Sequence, residues 1–344
     1  MKTIELAERG LIPDALIRWG VRRLSADRLV EEGADDPAVF TARLAERVAE
    51  WRAGPIAVNT RDANEQHYEL PPAFFEQVLG ANLKYSCCWY PNADTTLDEA
   101  EEAMLELSCE RAGIVDGMRV LDLGCGWGSM ALWIGRRYPN CRVTAVSNSA
   151  LQRSYIEQRA RQFGIEGLRV ITEDINDFQP DDRFDRIVSV EMLEHVRNHE
   201  RVFERVAGWL ADDGAFFAHV FCHREIAYPY EDRGDDDWMS RYFFTGGVMP
   251  SFGLFANYQR HLQLSHQWWV PGTHYERTSN DWLAKMDASA ETVRRELRQH
   301  YDADEAERWF HRWRLFFLAV AEFFGYQGGR QWGVGHYLFR RQDG

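Results

Sequence analysis

The sequence predicts an α/β protein built on a doubly wound, mostly parallel sheet with helices on both faces. Two observations carry this prediction. Between residues 97 and 221, short apolar segments alternate with segments of helical periodicity. The first of these apolar segments, residues 120–123, runs directly into a turn with three glycines in five positions, residues 124–128. In an open α/β sheet, ligands bind at turns of this kind, at the carboxyl ends of the strands.

The elements before the sheet are predicted to be helical. Residues 1–60 carry apolar positions at helical spacing, and we interpret residues 1–85 as an N-terminal helical cap. Residues 97–113 form a further helix in this prediction, with capping candidates at residues 94–96 and Gly113 as its stop signal.

A Rossmann-like core is predicted over residues 86–221. Its predicted strands are 120–123, 142–146, 168–172, 184–190 and 215–221, and the predicted helices among them are 129–138, 150–163 and 199–210. Strands that alternate with helices of these lengths are typical of parallel strands joined by crossover helices.

The alternation stops after residue 221. Residues 222–261 contain prolines, a glycine pair and interleaved aromatic residues, so we interpret them as a lid inserted over the site. Their acidic stretch, residues 231–237, is predicted to be a solvated loop. Residues 262–344 are predicted to complete the sheet and to line a substrate pocket, with a strand at 262–270, helices at 279–299 and 303–324, and a final edge strand at 332–340.

The composition excludes several classes of partner. Forty basic and 54 acidic side chains give a net charge of −14, which argues against nonspecific binding to nucleic acid or to anionic lipid. The longest apolar run, residues 315–324, contains Glu322 and is too short for stable membrane insertion. The six cysteines lack metal-binding spacing and the N-terminus lacks a signal peptide, which together predict a cytoplasmic protein. The oligomeric state stays open, with a homodimer among the alternatives.

The glycine spacing distinguishes two cofactor classes that use this strand–turn–helix arrangement. Glycines allow positive φ and a close approach of the backbone to a ligand, and the helix N-terminus offers unpaired N–H groups. A dinucleotide-binding GxGxxG motif needs its third glycine at position 129, where the chain has Ser129. The third glycine comes one position earlier, so the segment favours S-adenosylmethionine (SAM) over NAD(P). We expect Gly124, Gly126 and Gly128 to lie against the methionine moiety of SAM.

The ends of the second and third strands supply the remaining cofactor candidates. The second strand ends in Ser147 and Asn148 rather than in the acid that usually binds a ribose diol. Because amide groups both donate and accept hydrogen bonds, Asn148 and Gln152 can bind the diol instead. After the third strand, Asp174 can bind the adenine amino group and Ile175 can cover the ring.

The fourth strand leads into three titratable residues, Glu191, Glu194 and His195. If residues 191–195 form a helical turn, positions i, i+3 and i+4 share one face, and the three groups converge near the transferred methyl group. Clustered acids raise each other's pKa and hold a histidine in its cationic form. We therefore predict an acid–base site in which Glu194 and His195 bind and deprotonate a small, plausibly aromatic amine, with Glu191 also near the cofactor. The aromatic residues concentrated after residue 215 would form walls that suit a cation.

Several motifs resemble those of the coclaurine N-methyltransferase group, which belongs to the wider cyclopropane-fatty-acid synthase family of SAM enzymes. The resemblance covers roughly residues 60–344, and its motifs are YSCC at 85–88, the glycine loop at 121–128, EMLEHV at 191–196, FCH at 221–223, YFFTGGVMPS at 242–251, Trp268, His274–Tyr275 and the terminal segment 332–340. It implies a class I SAM-dependent methyltransferase fold and N-methylation of a small amine, which in plant members is a benzylisoquinoline.

The resemblance also implies roles for individual residues. Glu191, Glu194 and His195 match the catalytic acid–acid–histidine trio of the group. Tyr85 and Ser86 match a segment that contacts SAM. The candidates that it adds for the substrate pocket are Phe244, Phe316, Trp332 and His219.

The lipid-modifying branch of the family leaves an alternative open. That branch uses a bound bicarbonate as base, held by a cysteine, a glutamate, a histidine and a tyrosine. Cys87, Glu194 and His219 match three of these positions, whereas the tyrosine position falls on Phe316 or Phe317. The missing tyrosine argues against bicarbonate, and the three matches keep carbon methylation or cyclopropanation of unsaturated acyl chains as the alternative. A third alternative, a SAM-binding protein without catalysis, conflicts with the intact acid–acid–histidine set.

Overall fold

A seven-stranded sheet forms the centre of the protein. The structure, a computed structural model, describes residues 3–56, 70–231, 234 and 237–342. The strands are β1 Arg119–Leu123, β2 Arg142–Ser147, β3 Leu168–Thr172, β4 Phe184–Val190, β5 Leu210–His223, β6 Tyr228–Pro229, β7 Val248–Met249, β8 Leu262–Pro271 and β9 Trp332–Arg341. The sheet has the order β3-β2-β1-β4-β5-β9-β8, and β6 and β7 pair separately.

The strands of the predicted core run parallel. Val120 of β1 lies beside Val143 of β2 and, on its other side, beside Arg186 of β4. The last two strands reverse this direction at one end of the sheet, because β9 is antiparallel to both β5 and β8. The predicted doubly wound, mostly parallel sheet is confirmed, and the carboxyl ends of β1 to β4 meet at one edge.

The C-terminal strand lies inside the sheet, so the prediction of an edge strand at 332–340 is wrong. Strand β9 is inserted between β5 and β8, and β8 forms the edge. Residues 332–339 are all buried, because both faces of this strand are covered. Strands covered on both faces are apolar without alternation, and an apolar run by itself does not reveal a strand's position in the sheet.

Helices cover both faces of the sheet. They are Thr3–Ala7, Asp14–Glu32, Pro37–Ala53, Pro72–Val78, Leu97–Ala112, Ser129–Arg137, Ala150–Phe163, His199–Trp209, Trp238–Tyr242, Gly272–Ala288, Ala290–Leu297 and Ala303–Gly325. The segment predicted as one helix over 279–299 forms two helices separated at Ser289. The first of them starts earlier than predicted, at Gly272, where an added Cβ would lie 2.1 Å from the carbonyl oxygen of Trp332.

The helix Leu97–Ala112 has the caps that the sequence predicted. Thr96 and Glu99 form a capping box, in which the Glu99 carboxylate accepts the Thr96 N–H at 2.8 Å, and Gly113 ends the helix in the left-handed conformation. On the same helix, the buried Glu101 accepts three backbone N–H groups of residues 80–84, at 2.7 to 3.1 Å. This carboxylate fixes the loop that enters the candidate site.

The N-terminal helices pack against the C-terminal helix and the segment after β5. The buried Glu8 carboxylate accepts hydrogen bonds from the Trp238 indole at 2.8 Å and from Arg312 at 3.2 Å. Residues 57–69 of the predicted cap, and residues 232, 233, 235 and 236 of the predicted acidic loop, lie outside the described residues. None of the helices in the described ranges is long and apolar enough to cross a membrane.

Candidate active site

A cavity opens at the carboxyl ends of β1 to β4. Its lining includes residues 83–86, 122–127, 146–148, 173–175 and 190–192, together with Gln152, His195 and Thr245. Of the residues that the sequence singled out, the structure brings together here Tyr85, Ser86, Gly124, Gly126, Asn148, Gln152, Asp174, Ile175, Glu191 and His195. Those that do not line this cavity are Gly128, Glu194, His219, Phe244, Phe316 and Trp332.

The three glycines of the turn have different tasks, although all have a positive φ between 51° and 81°. Gly126 lines the cavity, and nothing lies within 4 Å of an added Cβ, so the backbone there is open to a ligand. An added Cβ at Gly124 would lie 2.7 Å from Cγ of Met192. At Gly128 it would lie 2.6 Å from Cγ1 of Ile156. Gly128, expected against the cofactor, instead permits close packing of the helices Ser129–Arg137 and Ala150–Phe163.

The end of β2 presents amide groups, as the sequence predicted. Asn148 is exposed at the cavity wall. The buried Gln152 accepts the Ser147 hydroxyl at 2.5 Å through its side-chain oxygen. Among the described residues, its amide nitrogen has no hydrogen-bond partner. A buried amide donor without a partner at a cavity wall suits an acceptor on a ligand, such as a ribose hydroxyl.

The end of β3 and the loop at 83–86 complete this wall of the cavity. One carboxylate oxygen of Asp174 accepts the backbone N–H and the side-chain amide of Asn176, both at 2.7 Å, which fixes the turn after β3. On the other side, the buried Lys84 ammonium donates to Ser86 Oγ at 2.5 Å and to the Cys87 carbonyl at 2.6 Å. Lys84 lines the cavity, and sequence reasoning did not single it out.

The Glu191 carboxylate is the most constrained side chain of the site. Its Oε1 accepts the Cys87 N–H at 3.0 Å and a hydrogen bond from His219 Nε2 at 3.2 Å, and its Oε2 accepts the Tyr275 hydroxyl at 2.6 Å. The pKa of Glu191 is raised above its usual range, because burial outweighs the opposing effects of the Lys84 charge and of the hydrogen bonds from Tyr275 and Cys87. Three donors on one carboxylate favour its ionised form.

The backbone at Glu191 has a positive φ and is not in the right-handed helical region. Its φ is +48°, and its N–H donates to the carbonyl of His219 at 2.8 Å. The turn that follows is a short 3-10 helix over Leu193–His195. The prediction of one helical turn over 191–195 is therefore wrong for Glu191, because this residue still pairs with β5. A non-glycine residue in this conformation stores strain of about 1–3 kcal/mol, which the surrounding contacts must offset.

Glu194 has a different environment from Glu191. Its side chain is fully buried, and its Oε1 accepts the Phe221 N–H at 2.6 Å. Its Oε2 has no partner among the described residues. Burial and the nearby Glu191 charge raise the pKa of Glu194 well above its usual range. Of the two carboxyl groups, Glu191 is therefore the one whose surroundings favour the ionised form more.

His195 lines the cavity in its neutral form. Burial lowers its pKa to about 4, and the Glu191 charge opposes this shift only in part. The expectation of a histidine held cationic by clustered acids is thus wrong, because desolvation outweighs one neighbouring carboxylate. The imidazole lies parallel to the Phe244 ring, with 5.9 Å between the centroids.

The aromatic candidates lie behind the cavity wall. Phe244 contacts the site through His195, and it also stacks on Tyr230 with 5.3 Å between the centroids. Phe316 stacks on Phe243 at 4.3 Å. Trp332 is buried, with its ring 4.2 Å from that of Phe323 and 5.0 Å from that of His223.

Two of the three residues that the resemblance assigns to bicarbonate, Cys87 and His219, are engaged by the protein itself. The Cys87 N–H and the His219 ring both contact Glu191. Tyr275, rather than Phe316 or Phe317, supplies a tyrosine hydroxyl at this point, because the helix Gly272–Ala288 carries it there. The Glu191 carboxylate thus takes the donors that would hold a bicarbonate, so the site does not fit that ion.

Comparison with known proteins places the chain among SAM enzymes. Residues 57–327 match the family model described as mycolic acid cyclopropane synthetase. The chain is 37% identical to (S)-coclaurine N-methyltransferase of Thalictrum flavum subsp. glaucum, over 99% of this chain and 96% of that protein. It is 33% identical to cyclopropane-fatty-acyl-phospholipid synthase of Escherichia coli, over 65% of this chain and 56% of that protein.

A solved structure shows the same fold. It is a coclaurine N-methyltransferase bound to N-methylheliamine and S-adenosylhomocysteine, 36% identical, with a TM-score of 0.94 over 98% of each chain.

Proposed function

The chain belongs to the mycolic acid cyclopropane synthetase family, and we propose that it is a SAM-dependent N-methyltransferase of a small amine that carries an aromatic ring. The relatives that it matches over nearly its whole length are N-methyltransferases. The observation that carries the proposal is a triply hydrogen-bonded carboxylate, Glu191, which lines one cavity together with the imidazole of His195.

The cavity fits SAM through groups at the ends of three strands. Gly126 leaves room for the methionine part, Gly124 lets the turn pack against Met192 beside it, and Tyr85 and Ser86 line the same cavity. The unpartnered amide of Gln152, with Asn148 and the segment at Asp174 and Ile175, would hold the ribose and the adenine. When bound, SAM supplies a methyl group on a sulfonium, which an amine lone pair can displace.

The residues at the end of β4 prepare the amine for this displacement. An aliphatic amine is mostly protonated near neutral pH, since the comparable lysine pKa is about 10.4. The Glu191 carboxylate attracts the ammonium, and the imidazole of His195 accepts its proton, because the Glu191 charge raises the proton affinity of this ring against the effect of burial. Proton removal frees the nitrogen lone pair for the methyl group. General-base assistance of this kind contributes about 10²–10⁴-fold.

Glu194 supports this site without acting as the base. It is fully buried, does not line the cavity, and accepts the backbone N–H of Phe221 at the end of β5. We assign it to holding the turn that carries His195. Phe244, parallel to the imidazole of His195, would support the amine-binding side of the cavity from behind, together with Phe316, Trp332 and His219.

An amine panel tests the proposal. The purified protein is incubated with SAM and primary, secondary and benzylisoquinoline-type amines, and both S-adenosylhomocysteine and the methylated amine are measured by mass spectrometry. We expect turnover with at least one aromatic amine, and loss of turnover in a Glu191→Gln/His195→Ala double variant. Full turnover in the double variant would overturn the assignment of these residues.

Two further arms separate the alternatives. Vesicles of unsaturated phospholipid replace the amine, with and without added bicarbonate, and the acyl chains are analysed by mass. A gain of one methylene per chain would show cyclopropanation instead. Absence of S-adenosylhomocysteine in every arm, together with measurable SAM binding, would indicate a binding protein.

We also propose a cytoplasmic location and the division into a cap (1–85), core (86–221), lid (222–261) and C-terminal part (262–344). The location is supported by six buried cysteines, none of them in a disulfide.

A further inference from the structure

A line of hydrogen bonds leads away from Glu191 through the sheet. His219 Nε2 contacts Glu191 Oε1 at 3.2 Å, and His219 Nδ1 lies 2.9 Å from His336 Nε2. His336 Nδ1 lies 2.7 Å from a guanidinium nitrogen of Arg111. We call these four residues the Arg111–Glu191 relay.

The fold places the two histidines of the relay in register on neighbouring strands. His219 of β5 pairs with His336 of β9, and His336 pairs with Trp268 of β8. Directly paired residues point to the same face of a sheet, so the three side chains form one row. Arg111, from the helix Leu97–Ala112, lies over the Trp268 ring at 5.1 Å and reaches His336 from there.

With neutral rings, the donors and acceptors along the relay can be assigned in only one way. A guanidinium has donors and no acceptor, so His336 Nδ1 must accept and its Nε2 must carry the proton. His219 Nδ1 then accepts from His336, which places the proton of His219 on Nε2, where it points at Glu191. Both rings are fully buried, and burial lowers the pKa of each well below its usual range, consistent with two neutral histidines.

The same chemistry excludes a proton exit along this line. Arginine keeps its proton in proteins, so a proton that moved from Glu191 toward His336 would meet a donor at the far end. The relay therefore keeps the Nε2–H of His219 hydrogen-bonded to the Glu191 carboxylate, and it does not conduct protons to the surface.

We propose that Arg111 and His336 are positioning residues that fix the tautomer of His219 and so keep its Nε2–H on the Glu191 carboxylate. The kinetic part of this inference rests on the proposed methyltransferase function, whereas the tautomers themselves do not. The titratable or charged groups around Glu191 that also act on its ionisation are Lys84, Cys87, Glu194, His195, His219 and Tyr275.

The first experiment measures the tautomers directly. Nitrogen-15 NMR of the histidine-labelled full chain reports which ring nitrogen carries the proton, and His219→Gln and His336→Gln variants assign the two signals. We expect both rings to be neutral Nε2–H tautomers that do not titrate between pH 5 and 9. A proton on Nδ1 of either ring, or a titration near pH 6.5, would overturn the relay whatever the enzyme methylates.

The second experiment tests the part of Arg111. Arg111→Met removes the donor, and we expect mixed tautomers at His336 and His219. With the amine identified by the panel, we also expect kcat/KM to fall about tenfold at pH 7 and its acidic limb to move up by about one pH unit, because Glu191 loses a donor. Arg111→Lys keeps a cationic donor. This variant should therefore recover most of the parent kcat/KM and most of the parent position of the acidic limb.

A matched control isolates the relay from stacking on an indole. Arg224 lies over the ring of Trp269 at 5.0 Å, next to Trp268 in β8, and has no contact with either histidine. Arg224→Met should therefore leave the tautomers of His219 and His336 and the acidic limb of kcat/KM unchanged. If Arg111→Met folds with an unchanged thermal midpoint and leaves the tautomers as in the parent chain, Arg111 is not a positioning residue.

Discussion

The two halves of the cavity are built in different ways. The cofactor half consists of residues 124–127, 147–148 and 173–175, which lie at or just after the ends of strands, together with Gln152, and it uses turns and amide groups of local segments. The acceptor half consists of Glu191, His195 and the groups that hold them, and its central carboxylate takes donors from Cys87, His219 and Tyr275. The first half depends on local backbone conformation, and the second on long-range contacts.

This difference has a physical origin. A glycine turn and a helix N-terminus bind a ligand through groups that the local sequence creates. A buried carboxylate is stable in its ionised form only where several donors converge, and such convergence needs separate elements. We therefore expect substitutions in the cofactor half to act on ligand binding or folding, and substitutions in the acceptor half to act on turnover.

The largest expected effect is that of Glu191→Gln. The amide keeps the shape but removes the charge that attracts the ammonium and that supports proton uptake by His195, so kcat should fall by about 10²–10⁴-fold with the amine found by the panel. The dissociation constant for S-adenosylhomocysteine, measured by calorimetry, should change little. Equal losses in turnover and in cofactor binding would show that the two halves do not act separately.

Gly126→Val should weaken cofactor binding. Position 126 has a φ of +51° and faces the cavity, so a branched side chain is both strained and directed at the ligand. We expect S-adenosylhomocysteine to bind about 10- to 100-fold more weakly, which calorimetry would detect. Gly126→Ala is the milder control and should give an intermediate constant. Unchanged binding in the valine variant would remove Gly126 from the cofactor half.

Gly128→Ala should affect the fold rather than binding. Its Cβ would lie 2.6 Å from Ile156, so we expect a loss of about 1–3 kcal/mol in the free energy of unfolding by urea. Gly117→Ala is a control with a positive φ but no neighbouring atom within 4 Å of the added Cβ, and it separates backbone strain from packing. Contrary to this prediction, a folded Gly128→Ala protein with weakened S-adenosylhomocysteine binding would return Gly128 to the cofactor site.

Glu194→Gln should have the smallest effect on turnover. Because the raised pKa of Glu194 keeps this carboxyl protonated in the folded protein, the amide resembles it, and kcat should stay within about threefold of the parent value. A loss as large as that of Glu191→Gln would make Glu194 the charged member of the pair.

The same substitution should change the pH dependence of stability. The folded protein keeps the Glu194 proton at a pH where the unfolded chain, with a glutamate pKa of about 4.3, has lost it. The contribution of Glu194 to stability is therefore complete below that value and is lost as pH rises toward the folded pKa. We expect the free energy of unfolding by urea to decrease less between pH 5 and pH 8 in Glu194→Gln than in the parent chain.

Much of the fold follows from local sequence patterns. The helix Ala150–Phe163 and the strand Phe184–Val190 form over the predicted residues, because helical spacing and apolar runs determine them locally. The order of the last strands did not follow, since an apolar run is equally compatible with an edge strand covered by helices and with a central strand. The break at Ser289 was also missed, because helical spacing continues on both sides of it.

The candidate site shows the same division. The sequence predicted the cavity residues Gly124, Gly126, Gln152 and His195 from motifs at strand ends. It placed Glu194 beside Glu191 as an equal partner, since three residues of spacing suggest one shared face. Because Glu191 has a positive φ, residues 191 and 194 do not share one helical face, and their carboxyl groups lie in different surroundings.

The sequence by itself determined the class of fold, the cofactor turn and the residue types at the reactive turn. Those properties depend on segments of a few residues, whose conformation follows from glycine content, spacing and caps. Only the tertiary structure decided that Glu194 is the more strongly desolvated carboxyl group, that burial lowers the pKa of His195, and that Arg111 connects to Glu191 through two histidines. Ionisation depends on burial and on donors from distant segments, and those distances exist only once the sheet has formed.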